Sequence, residues 1–171
     1  MLNNAAQVHL LLNHLPVTGS LVACLVLLSG MILKNASVRK TGLSLLVFAA
    51  LTSIPAFLSG EPAEEMMEER PGVSESIMHD HEEAAEAALV MALVNGGIAA
   101  AGLLLTRRTG APDSWVRNLK GASLFLGLLT VGAMGRAAHL GGLIKHDELR
   151  EDASAASTSE EAKESEKNYH D

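Results

Sequence analysis

Seven histidines are spread along the chain, and four of them lie near the ends of long apolar runs. These four are His14, His81, His139 and His146. A neutral imidazole nitrogen is a ligand for haem iron and for divalent transition metals. A histidine facing lipid is costly, so several at one membrane depth predict a shared site. The predicted site has two alternative occupants: haem b, or a metal ion held by His14, His81 and His139.

The spacing of His139 and His146 adds a geometric argument. The two are seven positions apart, so on a helix they lie on nearly one face, roughly 10 Å apart along the axis. Arg136 lies three residues before His139 on nearly the same face. An unpaired cation inside a membrane span is costly. Arg136 is therefore predicted to pair with a glutamate at the start of the third span or with a haem propionate.

Four apolar runs are long enough to position these residues in a membrane. The runs cover residues 8–33, 41–59, 84–105 and 121–144, and a helix needs roughly 17 to 25 residues to cross the hydrocarbon. They are apolar nearly all round, whereas a surface helix of a soluble protein is amphipathic. The chain is 48% apolar although it contains 20 acidic residues. This segregation predicts an all-α bundle of four transmembrane helices over residues 1–146.

The charges of the connections predict the orientation of the bundle. The first and third connections are basic, with Lys34, Arg39, Lys40, Arg107, Arg108, Arg117 and Lys120. Residues 61–86 carry ten acidic side chains, and residues 147–171 carry nine. Short basic loops stay on the cytoplasmic side. Both termini, the acidic connection and the tail are therefore predicted to lie outside, on the periplasmic side of a bacterial inner membrane.

Composition excludes some classes of partner and predicts the character of the polar segments. The net charge of −7 excludes nucleic acid, and the single Cys24 excludes an internal disulfide. Residues 147–171 are predicted to be a disordered acidic tail. The acidic connection contains four apolar residues, which favour a short amphipathic helix there: Met66, Met67, Ile77 and Met78. The other three histidines are expected at solvated positions: His9, His79 and His170.

Four short motifs follow one another along the chain. They are HLLLNHLP at 9–16, SGEP at 59–62, HEEAA at 81–85 and HLGGLIKH at 139–146. This set resembles a family of small four-helix bacterial membrane proteins of uncharacterised function, which occur alone or joined to cytochrome c-like modules. The resemblance covers about residues 8–146 and implies binding of haem b. It implies recurrent histidines at four positions, namely His14, His81, His139 and His146.

The chain departs from that family at two histidines. His9 matches a fifth recurrent position that is typically followed by proline, but Leu10 follows it here. Asp147 follows His146, where a glycine is common. The resemblance therefore points to His14, His81 and His139 more strongly than to His9 or His146.

The residues and the resemblance together predict a b-type cytochrome-like membrane protein that transfers electrons. Haem b would be held by His14, His81 and His139, with His146 as an alternative ligand and Arg136 as the propionate partner. The expected partners are the lipid bilayer, a quinone or quinol, and a periplasmic cytochrome c or other redox subunit. The alternatives are a transition-metal-binding or transport component, and a structural subunit of a membrane complex. No arrangement typical of covalent catalysis is present, so a stand-alone enzyme is not expected.

Overall fold

A computed structural model describes residues 5–68, 73–106 and 112–145, and this part of the chain forms five α-helices. The four long ones are α1 (Ala5–Ile32), α2 (Ala36–Leu58), α4 (Glu75–Leu105) and α5 (Asp113–Lys145), and the short α3 (Gly60–Glu68) follows α2. All four long helices are long and apolar enough to cross a membrane. The predicted all-α bundle of four membrane-spanning helices is confirmed. His146 and the predicted tail at 147–171 lie outside the described residues.

All four long helices begin before their apolar runs, and the difference is largest for α4 and α5. α4 begins at Glu75 and α5 at Asp113, whereas the predicted spans begin at 84 and 121. An apolar run measures how much of a helix the hydrocarbon requires, and it does not mark where the helix begins. These extensions contain the good helix formers glutamate, methionine, arginine, leucine and lysine, so both helices continue into the polar segments. α3 lies in the acidic connection, where a short helix is predicted.

The long helices form a ring in which each packs against two neighbours. α1 packs against α2, α2 against α4, α4 against α5, and α5 against α1. In the described ranges, no Cα atom of α1 comes within 8 Å of a Cα atom of its diagonal partner α4. Only side chains can therefore connect these two helices across the bundle axis.

A tight turn joins α1 to α2. The Asn35 N–H donates to the Gly30 carbonyl (3.0 Å) and the Lys34 N–H to the Met31 carbonyl (3.3 Å), the two bonds of a Schellman motif. The Asn35 side-chain oxygen accepts from two backbone N–H groups in the first turn of α2, at 3.0 and 3.2 Å. Asn35 thus closes one helix and caps the next. These bonds hold the two helices as an antiparallel hairpin.

Lys34 occupies the left-handed position of this motif, with φ 52°. This conformation costs a residue with a Cβ roughly 1–2 kcal/mol, and glycine avoids that cost. We expect Lys34→Gly to raise the free energy of unfolding by about 0.5–1 kcal/mol, because the greater flexibility of glycine in the unfolded chain offsets part of the gain. Titration of the folded protein with dodecyl sulfate in mixed micelles measures this change.

The control for Lys34→Gly removes a cation from a regular helical position. Arg117 lies on the exposed surface of α5, and Arg117→Gly is expected to lower the free energy of unfolding by about 0.8–1 kcal/mol. The two substitutions should therefore move the unfolding midpoint in opposite directions. A loss of stability in Lys34→Gly would show that its side chain contributes more than its backbone conformation costs.

Small and apolar side chains fill the bundle core. The central cluster comprises Ala23, Cys24, Leu27, Leu43, Leu46 and Ala99. The polar side chain of Asn95 on α4 is also buried, at only 2% exposed, and it bonds to α5. With its amide turned to satisfy both groups, the Asn95 nitrogen donates to the Ser123 carbonyl at 3.1 Å and its oxygen accepts from the Gly127 N–H at 3.2 Å. Such bonds between membrane helices contribute about 0.6–2 kcal/mol each.

Candidate functional site

A cavity of about 630 Å³ lies at the end of the bundle where α1 and α4 begin and α2 and α5 end. This volume is within the range of roughly 300–1,000 Å³ that is typical of small-molecule and cofactor sites. The room comes from small residues on every long helix that lines it, such as Ala6, Ala56, Ala85, Ala88 and Gly141. The cavity is at the end of the bundle where the sequence predicts the shared histidine site.

His9 of α1 is fixed at this cavity by the end of α2. Its Nδ1 lies 3.1 Å from the Ala56 carbonyl oxygen and 3.0 Å from Ser59 Oγ. The Ser59 hydroxyl donates to the same Ala56 carbonyl at 2.7 Å. Because a carbonyl can only accept, the contact with Ala56 assigns the imidazole proton to Nδ1. In the neutral ring, His9 Nε2 then carries the lone pair.

His81 of α4 is fixed in the same manner by α5. Its Nδ1 donates to the Ala137 carbonyl at 2.8 Å, which again assigns a proton to Nδ1, so that the neutral ring has its lone pair on Nε2. The absence of a side chain at Gly141 makes room for this ring. A Cβ added there would lie 3.1 Å from His81 Cε1, closer than nearly all such contacts.

The two imidazoles meet across the diagonal of the bundle. Their ring centroids are 6.4 Å apart and the planes are nearly perpendicular, at 88°. Among the described residues, neither Nε2 has a hydrogen bond. Histidines that bind metals almost always donate their other ring N–H to a carbonyl or carboxylate, which fixes the ring and its tautomer. His9 and His81 both have that arrangement, so both are prepared as ligands.

No protein-family model matches the chain, and no curated protein or solved structure is similar to it. The family resemblance of the four motifs therefore stays a prediction. The fold nevertheless brings at least one residue of each motif to the cavity, among them His9, Gly60, His81 and Gly141. Segments far apart in the chain thus build one site.

The other predicted ligands have different positions. His14 is exposed at the rim of the cavity, where its Nδ1 donates to the Leu10 carbonyl of its own helix. His139 and Arg136 are exposed on α5 and do not line the cavity. Within the described ranges, no three histidine, cysteine or acidic side chains are grouped closely enough to hold a metal ion. The structure therefore brings together His81 and His9, and it does not assemble His14, His81 and His139 into one cluster.

Helical spacing explains this placement. The buried positions of α5 follow one another three or four residues apart, at Ser123, Gly127, Thr130, Met134 and Ala137. A residue two positions after Ala137 lies about 200° round the helix, which takes His139 off the buried face. On α1, the buried Pro16 is two positions from His14 but seven from His9.

His9 was predicted at a solvated position, although its spacing contains a signal. A separation of seven residues places two side chains on nearly the same face of a helix. His9 is seven positions before Pro16, and His81 is seven positions before Ala88, both of which are buried. The same rule applied to every histidine, and not only to His139 and His146, places His9 on the face of Pro16 and His81 on the face of Ala88, but the burial of those faces is known only from the packed helices.

Proposed function

We propose that this chain is a b-type cytochrome-like membrane protein that transfers electrons, in which His9 and His81 would hold haem b. The proposal depends on one observation: the Nδ1 of each ring is hydrogen-bonded to a backbone carbonyl, which in the neutral ring leaves Nε2 as the ligand atom. The two rings come from diagonal helices and border one cavity of cofactor size. Bound haem would supply one-electron redox chemistry, with a potential set by its ligands and burial.

The number of prepared ligands favours haem over a bare metal ion. Haem iron needs only two axial side chains, whereas zinc or copper sites use three or four protein ligands. The described part of the chain offers a histidine pair and no group of three. The cavity lining is mostly apolar, with Val17, Phe57 and Leu89, which suits a flat apolar macrocycle. The roles assigned from sequence to His139, His146 and Arg136 stay predictions.

The distribution of charge supports an orientation for this protein. The cavity end carries the acidic α3 and the acidic start of α4, and the basic residues Arg39, Lys40 and Lys120 lie at the opposite end. Positively charged loops stay in the cytoplasm. The cavity would then face the periplasm of a bacterial inner membrane. There it would exchange electrons with a quinol and with a periplasmic cytochrome c or other redox subunit.

The optical spectrum of detergent-purified protein tests the proposal. We expect a Soret band and a reduced-minus-oxidised α-band in the natural protein made in cells that synthesise haem b. His9→Ala and His81→Ala should each lose most of the bound haem, because each removes an axial ligand. Helical content by circular dichroism and elution as a single species show whether these variants still fold.

Three further histidine variants serve as controls. His79 is exposed and contacts only Glu83 of its own helix in the described part of the chain, at 3.5 Å. His79→Ala, His14→Ala and His139→Ala should retain haem. If folded His9→Ala and His81→Ala proteins kept their full spectrum, the proposed ligand pair would be wrong. Loss of haem in His14→Ala and His139→Ala would instead support the set predicted from sequence.

A further inference from the structure

A second pocket lies at the end of the bundle opposite to the histidine cavity. It encloses about 280 Å³ between the start of α2, the end of α4 and the start of α5. Among the described residues, three cations line it, Arg39, Lys40 and Lys120, against the one carboxylate of Asp113. Arg39 and Lys40 repel the Lys120 ammonium electrostatically, and Asp113 attracts it. The pocket therefore has an excess of two positive charges.

Arg39 has a hydrogen-bonding atom that nothing in the described residues satisfies. Its Nε is fully buried and has no partner there. An unpaired buried donor is destabilising, and more so when it is charged. The arginine stem is held in place by α1, because a Cβ added at Gly30 would lie only 2.9 Å from Arg39 Cγ. Arg39 thus lines the pocket, and its buried Nε lacks an acceptor among the described residues.

The depth of the pocket points to the membrane interface. Trp115, in the first turn of α5, is 63% exposed, and Leu104 near the end of α4 is 62% exposed. Tryptophan is enriched where headgroups meet the hydrocarbon, whereas exposed leucine on a spanning helix faces the acyl chains. The basic pocket therefore lies at the level of lipid phosphates. The pocket borders the apolar surface, because its lining includes Leu105, which directly follows the exposed Leu104.

We propose that this pocket binds the phosphate of an anionic phospholipid headgroup. Arg39 would provide the main contact, because a guanidinium presents paired N–H donors that match phosphate oxygens. Lys40 and Lys120 add charge on two sides. Basic pockets between membrane helices on the cytoplasmic side bind anionic headgroups in this manner. The same donors suit free phosphate, but the position beside Trp115 and Leu105 favours a lipid. This site is independent of haem binding.

Lipid titration of the full-length detergent-solubilised protein tests this inference. Phosphatidylglycerol and phosphatidylcholine are added in parallel, and bound lipid is counted by native mass spectrometry. We expect preferential retention of phosphatidylglycerol. Arg39→Gln should weaken its binding by about tenfold or more and Lys120→Gln by about fivefold, from the loss of a charge-assisted bond and of one cation respectively. The matched control Arg117→Gln, outside the pocket on α5, should change binding less than twofold.

Two further arms keep the result interpretable. Arg39→Lys retains the charge and most of the stem but loses the paired donors, so its affinity should fall between those of the natural protein and Arg39→Gln. It also serves if Arg39→Gln fails to fold. Inorganic phosphate competes in a separate titration. Equal binding of both lipids, or unchanged binding in folded Arg39 and Lys120 variants, would overturn the site. Binding of inorganic phosphate without preference for phosphatidylglycerol would overturn the lipid as its source.

Discussion

Gly96→Ala is expected to destabilise the bundle by about 2 kcal/mol, and by more if the helices cannot adjust. A Cβ at position 96 of α4 would overlap the Cβ of Ala50 on α2. Neither group can rotate away, because a Cβ is fixed by the backbone that carries it. The two helices would have to separate, and the contacts of the central core would loosen. The free energy of unfolding, from dodecyl sulfate titration in mixed micelles, measures the loss.

The neighbouring glycine provides a matched control. Gly97 has open space around an added Cβ, so Gly97→Ala should preserve the packing and gain up to about 0.8–1 kcal/mol from helix propensity. The double variant Gly96→Ala with Ala50→Gly moves the methyl group from one helix to the other and should recover most of the lost stability. If Gly96→Ala and Gly97→Ala changed the free energy of unfolding equally, α2 and α4 would not be this close.

Gly141→Leu is expected to abolish haem binding without changing a histidine. Even a Cβ at this position approaches His81 Cε1 to 3.1 Å, and the rest of a leucine side chain would enter the cavity. The ring would have to leave the Ala137 carbonyl that fixes it. Loss of such an outer-shell partner typically costs 10–100-fold in affinity, and the lost volume adds to that effect. The haem absorbance per molecule of purified protein is the measurement.

Gly135→Leu is the control for this substitution. Gly135 is on the same helix, has open space around an added Cβ and does not line the cavity. It should therefore leave the absorbance unchanged. Full haem occupancy in folded Gly141→Leu protein would mean that haem is bound elsewhere, and would count against the axial role of His81. Because the substitution leaves every potential ligand in the chain, loss of haem cannot be attributed to a missing imidazole.

The fold could be predicted from the sequence because the hydrocarbon core of a membrane sets strict requirements for the segments that cross it. Hydrocarbon accepts only segments with satisfied backbone groups and apolar surfaces, so four long apolar runs predict four helices. The helix starts at Glu75 and Asp113 were not accessible in this way. They lie in polar sequence, where helix propensity and local contacts set the boundary.

The site was only partly accessible, because residue type does not reveal the face on which a side chain lies. His81 was predicted and lies at the cavity, while His139, of the same type and at a similar depth, is exposed. The difference of two residues from Ala137 decides the outcome for His139. The carbonyl partners of His9 and His81 could not be predicted, since they depend on the register between packed helices.

The hydrogen bonds of the two imidazoles divide the molecule in a particular way. His9 is anchored to α2, the partner of its own hairpin, and His81 to α5, the partner of the other. The α1–α2 hairpin therefore orients His9, and the α4–α5 hairpin orients His81, each without help from the other. The two rings meet where the hairpins pack together. A ligand bound to both rings would link the two hairpins. A higher ligand concentration would therefore stabilise the association of the hairpins.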